Sequence, residues 1–260
     1  MSRMKGQPSS STRQSEILRH VYANGHASVS SLSSELDVST MTVRRDLRTL
    51  EDQGLLTLVH GGATVSMRDS TVPAFSIRAT SEAAAKRRIG SAAAAGIGTN
   101  DVVGIDAGTT ALEAAVHLPD DFTGTVISHS VPTLSAMLSR PTAHTVGLGG
   151  DLLPLSRCLI SSAGIALASN FRLSQLFLGA SAVDAQGIYA HSTLELDMKQ
   201  ALISAADRVV LLCDRTKLGA AGAARVSSLD SIHVLITDAE EIPQPLSSAL
   251  KQAEVEVVQV

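Results

Sequence analysis

The run from Ser39 to Gly62, STMTVRRDLRTLEDQGLLTLVHGG, constrains the fold more than any other part of the chain. Val43, Leu47 and Leu50 recur at i, i+4 and i+7, which places them on one face of a helix. At 3.6 residues per turn, Arg44, Arg45 and Arg48 lie on the opposite face. Ser39 is a natural N-cap, and Gly54 stops the helix just past its last apolar contact. Leu55 to Val59 then reads as a strand, Gly61-Gly62 as a tight turn and Ala63 to Val65 as the returning strand of a hairpin. A short basic helix followed by a hairpin is a winged-helix arrangement.

Taken alone, the Arg-Arg-Asp-Leu stretch is a solvated helix face, since most charge clusters are only that. The upstream residues change the reading. Ser15 to Asn24 carries Ile17, Leu18, Val21 and Tyr22 at helical spacing and closes at Gly25. Val29 starts a second helix, with Ser30 or Ser31 as N-cap and Leu32 and Leu36 pointing inward, and Asp37-Val38 turns the chain into Ser39. Helix, helix, short turn and a helix presenting arginines is the helix-turn-helix order, in which the last helix enters the major groove. Arginine can fork onto guanine or clamp a phosphate, and hydroxyls suit phosphate oxygens. Asp46 lies nearer the buried face, where it orients an arginine rather than meeting DNA. Met1 to Thr12, polar and Ser-rich, is expected as a disordered tail.

At 260 residues the chain has room for a small module and a larger one with its own core. The net charge of −4 hides an asymmetry. Residues 1–88 hold 12 Lys/Arg against 8 Asp/Glu, whereas 89–260 hold 9 against 17, so only the N-terminal part suits a polyanion. Cys158 and Cys213 sit in apolar surroundings without the close spacing of a metal or redox motif, which predicts buried free thiols and suits a reducing cytosol. No apolar run approaches the roughly 20 residues of a membrane span, and the N-terminus has no apolar signal core, so a cytoplasmic protein with no membrane partner is expected.

From Ile89 onward, β-branched apolar runs alternate with Ala-rich helical ones: Val102–Ile105, Thr125–Ser128, Thr145–Leu148, Leu176–Gly179, Val209–Cys213, Val234–Thr237 and Val255–Val258. Such strands separated by helices imply a parallel sheet covered on both faces, an α/β domain. Ligands then gather at the carboxyl ends of the strands. The loop after the first strand, Asp106-Ala107-Gly108-Thr109-Thr110, combines a tight turn, two hydroxyls and free helix amides, and would accept a phosphate. Alternatively Gly108 only makes the turn and Thr109 only caps the helix. Gly147-Leu148-Gly149-Gly150 is a second such loop. His129, between two serines, is by itself more often a satisfied residue than a ligand group. Glu195 and Lys199 read as an i, i+4 ion pair. Asp214-Arg215-Thr216-Lys217 follows another strand, and Lys217 is its best candidate for a ligand contact.

Residues 13–65, with VSTMTVRRDLRTLEDQGLLTLVHGGA, resemble the DNA-binding domain of the DeoR-type bacterial transcription regulators. That resemblance implies that Ser39, Thr40, Thr42, Arg44, Arg45 and Arg48 belong to the recognition helix or its approach, and His60 to the wing. Residues 75–238 resemble the effector domain of the same family, through DAGTT, GLGGDL, FLGAS, GIYAHS, DRTK and VLITD. Its fold is related to ribose-5-phosphate isomerase and CoA transferases. The resemblance implies a pocket for a phosphorylated sugar formed by Asp106, Gly108, Thr109, Thr110, Gly149, Gly150 and Lys217, with Glu195, Asp214 and Lys86 added. The chain departs from the family in three places. Ala85 stands where relatives carry a glutamate before Lys86, His129 where they commonly carry an asparagine, and Gly179-Ala180-Ser181-Ala182-Val183 where they commonly carry Gly-Ala-Asp-Gly-Ile.

The expected organisation is thus a tail (1–12), a winged helix-turn-helix domain (13–66), a linker (67–88) with Pro73 and a helix capped by Ser81, and an α/β effector domain (89–260). The expected partners are double-stranded operator DNA, a phosphorylated sugar and further copies of the chain, without cofactor or metal. The expected function is a repressor of a carbohydrate catabolic operon. The alternative is a sugar-phosphate isomerase or CoA-transferase-like enzyme carrying a DNA-binding module, with Asp106, Glu195 and Lys217 moving protons.

Overall fold

The chain separates between Thr80 and Ser81 into two units in the computed structural model, which describes residues 10–24, 26–52, 55–59, 61–64, 75–220 and 222–260. The first unit runs α1 (Ser10–Asn24), β1 (His26–Ser28), α2 (Val29–Glu35), α3 (Thr40–Asp52), β2 (Thr57–Val59), β3 (Gly62–Thr64) and α4 (Phe75–Thr80). Ile17, Leu18 and Val21 of α1, Leu32 of α2, and Val43, Leu47 and Leu50 of α3 are buried together with Leu56 and Ala63. Each such side chain larger than alanine contributes about 1.5–3 kcal/mol relative to exposure, and the 3.6-residue spacing is what lets the three helices share the core.

Ser39 caps α3 as its position predicts, its Oγ accepting from the Thr42 amide at 3.1 Å. The cap of α2 is Ser28 rather than Ser30 or Ser31, with Ser28 Oγ accepting from the Ser31 amide at 3.0 Å. The cause is β1: Ser28 ends a strand in extended conformation, so the helix starts at the next residue. This strand of three residues pairs antiparallel with β3, giving a sheet ordered β1-β3-β2. Of the two glycines expected to make the turn, Gly61 does so at φ 80°. Gly62 lies within β3, where a Cβ would stand 2.2 Å from the Ala27 carbonyl oxygen. It is glycine so that β1 can close on the hairpin. Gly25, Gly54, His60 and residues 65–74, including Pro73, lie outside the described residues.

The C-terminal half of the stretch expected as a linker is helical, in α4 and in α5 (Ala83–Ala94), the latter belonging to the second unit. Ser81 does not cap α5. The cap position is Glu82, left-handed at φ 50° and without a side-chain cap bond. Ser81 instead offers its carbonyl to Lys86 Nζ at 2.5 Å.

The second unit continues with β4 (Val102–Ile105), α6 (Thr109–Val116), β5 (Thr125–Ser128), α7 (Val131–Met137), β6 (His144–Gly147), β7 (Asp151–Leu153), β8 (Cys158–Ile160), α8 (Ser162–Ala168), β9 (Gln175–Gly179), β10 (Ala182–Asp184), β11 (Gly187–Ala190), α9 (Leu196–Ser204), β12 (Val209–Leu212), β13 (Ala224–Ser227), β14 (Val234–Thr237), α10 (Gln244–Gln252) and β15 (Glu256–Gln259). The apolar runs read from the sequence become one seven-stranded sheet, ordered β15-β14-β12-β9-β4-β5-β6. All of its pairings are parallel. Alternation within the strands divides the core: Leu176, Leu178, Val209 and Leu211 pack on one face, and Ile105, Phe177, Val210 and Leu212 on the other. That two-sided burial is why these strands carry continuous apolar runs. A hairpin of β7 and β8 and an antiparallel sheet ordered β10-β11-β13 sit outside the main sheet. Among the described residues, no helix is long and apolar enough to cross a membrane. Both cysteines are buried and free, and burial pushes the Cys213 thiol up to about 12.

Candidate functional site

On α3, Ser39, Thr40, Arg44, Arg45 and Arg48 are exposed and Thr42 is half-buried, while Val43, Asp46, Leu47 and Leu50 face inward. Ser39 and Thr42 also bond to each other, Oγ to Oγ1 at 2.9 Å. Asp46 is the inward carboxylate that orients an arginine, and the arginine is Arg13 of α1. Arg13 Nε donates to Oδ2 at 2.5 Å and an Arg13 terminal nitrogen to Oδ1 at 3.2 Å, with Gln14 Nε2 also on Oδ1 at 3.3 Å. The side chains of the pair are only 7% and 2% exposed. A forked, two-point pair of this kind fixes orientation as well as distance, so α1 holds the arginine-bearing helix in register.

In the second unit, the carboxyl ends of β4, β5 and β9 bring together Asp106, His129 and Gly179. Asp106 Oδ2 accepts from the Gly179 amide at 3.0 Å and from Lys199 Nζ of α9, and Lys199 also donates to the Gly179 carbonyl at 3.1 Å. The i, i+4 pair expected of Glu195 and Lys199 is therefore not made. Lys199 turns inward to Asp106, and Glu195 Oε1 accepts from Ser156 Oγ at 2.6 Å. Burial works to raise Asp106, but the charge of Lys199, joined in acid by a protonated His129, and the bonds from Lys199 and Gly179 outweigh it and hold the carboxyl below its ordinary value. Burial likewise works to lower Lys199, and Asp106 and Glu195 hold it above its ordinary value. Both members of the pair stay charged.

Beside this pair the chain leaves bonding capacity unused. Asp106 Oδ1, both ring nitrogens of His129 and Thr133 Oγ1 are buried without a hydrogen-bond partner. His129 Nε2 stands 3.8 Å from Asp106 Oδ1, beyond hydrogen-bond reach. Burial pushes His129 down to about 4, the Asp106 carboxylate opposing and the Lys199 ammonium adding to the drop. The ring is therefore neutral at pH 7, with one donor and one acceptor nitrogen to offer. Leaving a buried polar atom without a bond costs roughly 1–3 kcal/mol, and Asp106 and His129 carry theirs just past the carboxyl ends of the neighbouring strands β4 and β5, while Thr133 carries its own on α7. Sequence spacing gave no hint of Lys199 in this role, because it lies 93 positions from Asp106.

The other sequence candidates divide by position. Gly108 caps α6 in extended conformation without a side-chain bond, so Thr109 is not the cap, and the helix opens with buried Thr109 and Thr110. Amides in that position attract anions. Gly149 has open space where a Cβ would stand, whereas Gly150, at φ 146°, would drive a Cβ to 2.4 Å from the Ile160 backbone; it serves the chain's own packing. Asp214 is spent on a turn: its Oδ1 accepts from the Thr216 amide at 3.1 Å and from the Thr216 hydroxyl. Lys217, three residues on and half-buried, follows β12, two strands from β4 in the sheet. Lys86 is buried, its ammonium on the Ser81 carbonyl, and the hydrogen bonds of the Asp106 cluster do not include it. No group of three or more His, Cys, Asp or Glu side chains among the described residues is placed to hold a metal ion.

A winged helix with an outward arginine face, joined to an α/β unit with unfilled bonding capacity at its strand ends, defines a DNA-binding regulator that senses a small ligand. Residues 13–68 match the DeoR-like helix-turn-helix domain and residues 81–239 the DeoR C terminal sensor domain. The chain belongs to the DeoR family of transcriptional regulators and is not an enzyme. It is 32% identical to the HTH-type transcriptional regulator GlpR of Haloferax volcanii, over 87% of this chain and 89% of that one. It is 30% identical to the uncharacterized HTH-type transcriptional regulator YgbI of Escherichia coli, over 92% and 93% of the two chains. With the L-fucose operon activator of Haemophilus influenzae it shares 28% over 95% and 98%. Among solved structures, ribose 5-phosphate isomerase A from Methanocaldococcus jannaschii aligns over 53% of this chain and 55% of its own, at 16% identity and a TM-score of 0.40.

Proposed function

We propose that this chain is a cytoplasmic, homo-oligomeric repressor of a carbohydrate catabolic operon, and that a phosphorylated sugar lowers its affinity for double-stranded operator DNA. The observation that carries the reading is the set of orphaned buried atoms on Asp106, His129 and Thr133, together with the opening of α6, where the cap residue Gly108 supplies no side-chain bond. A sugar supplies hydroxyls that both donate and accept, and its phosphate suits the Thr109–Thr110 amides and hydroxyls with Gly149 alongside and Lys217 as counter-charge. On the DNA side, Arg44, Arg45 and Arg48 take bases or phosphates and Ser39 and Thr40 take phosphates, with oligomerisation pairing two half-sites. A ligand that releases DNA must prefer the conformation that binds DNA poorly, and such couplings run to about 1–3 kcal/mol.

The test is a panel of sugar phosphates read by two measurements on the full chain: melting temperature, and affinity for DNA taken from upstream of its own coding region. At least one compound should raise the melting temperature by mass action and weaken DNA binding by about 5- to 150-fold. If no compound moves either quantity, the sugar-phosphate reading fails. If a compound tightens DNA binding instead, the protein works as an effector-dependent activator and the repressor assignment fails.

A further inference from the structure

Met41, at the second position of α3, is 72% exposed, and among the described residues of the first unit only it and Val59 are exposed large apolar side chains. Its place on the helix gives this exposure a direction. Arg44, Arg45 and Arg48 follow Met41 at i+3, i+4 and i+7, so the four side chains form one stripe, with the buried Val43, Leu47 and Leu50 turned away from it. An apolar side chain standing in water amid three guanidinium groups does nothing for the fold, because its neighbours on α3 fill the core without it.

A partner that accepts this stripe must be anionic around Met41 and apolar at Met41 itself. In the major groove the phosphates and the guanine O6 and N7 acceptors meet the first requirement, and the C5-methyl group of thymine meets the second. The N-terminal residues of a recognition helix are those that reach the base edges, and Met41 lies one turn ahead of the arginines. We infer that Met41 is a specificity-determining residue that reads one thymine methyl in each operator half-site, while the arginines hold the flanking phosphates or guanines. The inference rests on the DNA-binding reading of α3 and adds to it the base that the helix selects.

The experiment has two stages, both with the full chain. Duplexes are first selected from a randomised pool, which succeeds if α3 reads DNA at all and so tests the underlying reading separately. Each thymine of the selected sequence is then replaced by deoxyuridine, which removes the methyl group and leaves every hydrogen-bonding atom in place. For the parent protein, one position per half-site should lose about four-fold in affinity, the equivalent of one buried methyl at about 0.8 kcal/mol. Met41→Ala should bind thymine and uracil alike there, and Met41→Leu should keep the preference. Overturning results are a parent indifferent to every thymine methyl, or a methyl dependence that survives unchanged in Met41→Ala. Circular dichroism of the variants checks folding, which is expected to be untouched because the side chain is 72% exposed and the buried core of α3 is formed without it.

Discussion

The two units each bury a carboxylate against a cation, and they use the pair in opposite ways. In the winged helix, Asp46 spends both oxygens: Arg13 takes them as a fork and Gln14 adds a second bond to Oδ1. In the α/β unit, Asp106 spends one: Lys199 and the Gly179 amide share Oδ2, while Oδ1 faces His129 without bonding to it. A saturated pair is a fastener, with nothing left to offer a visitor. A half-used pair, kept charged by its partner and faced by a neutral imidazole, still has an oxygen to offer.

The sharpest way to break the comparison is Asp46→Asn. It removes the anion that forks onto the buried Arg13 guanidinium, which cannot shed its proton in response. The expected loss is about 3–5 kcal/mol of stability in the first unit, with DNA binding lost alongside it, read by urea denaturation. If the variant unfolds at the parent's midpoint, the pair is not what fixes α3 to α1.

The second prediction uses acid to separate the two sites. His129 has a folded value of about 4, below the 6.5 of the unfolded chain, so folding favours its neutral form. Stability from this residue is complete above pH 6.5 and drains away as the pH falls towards 4, where the native ring also takes up a proton. The window corresponds to roughly 3 kcal/mol. Across it the parent should lose more stability than His129→Asn, which cannot titrate. Equal acid slopes would show that the ring is not held neutral beside Asp106.

The smallest effect is expected from Asp106→Asn, at about 1–3 kcal/mol. Asparagine keeps an acceptor for the Gly179 amide, and Lys199, unlike Arg13, can lose its proton when its partner goes. The variant should stay folded and keep its affinity for DNA, yet no longer respond to the sugar phosphate that shifts the parent. A loss as large as that of Asp46→Asn, with DNA binding gone, would mean that Asp106 is a fastener too.

What could be read in advance follows the range of the interactions. All seven strands of the main sheet were legible as apolar runs; the inner ones are apolar because both of their faces are covered, and the edge strands β6 and β15 carry shorter apolar stretches between polar ends. The Ser39 cap and the inward turn of Asp46 were legible from helical spacing alone. Arg13 and Lys199 were not, since they meet their carboxylates across 33 and 93 positions and no periodicity encodes such a meeting. His129 was visible as an oddity between two serines, but its isolation is a fact about what surrounds it. The short strands β1, β7, β8 and β10 were hidden for another reason. Three residues carry too little alternation to stand out, and β1 betrays itself only through Gly62, read first as half of a turn.

That glycine bears on how a signal can act on the reading head. With no side chain at Gly62, β1 lies flush against β3, and the amide of Val29, the first residue of α2, donates to the Gly61 carbonyl at 2.8 Å. The hairpin is thereby stitched to the segment that launches the second helix, and Leu58 is held to α3 through Glu51, whose carboxylate accepts its amide at 2.8 Å. The wing is thus bonded at its turn to the start of α2 and along β2 to α3, so that a shift of either helix reaches it through a single hydrogen bond, like a key turned by its bow.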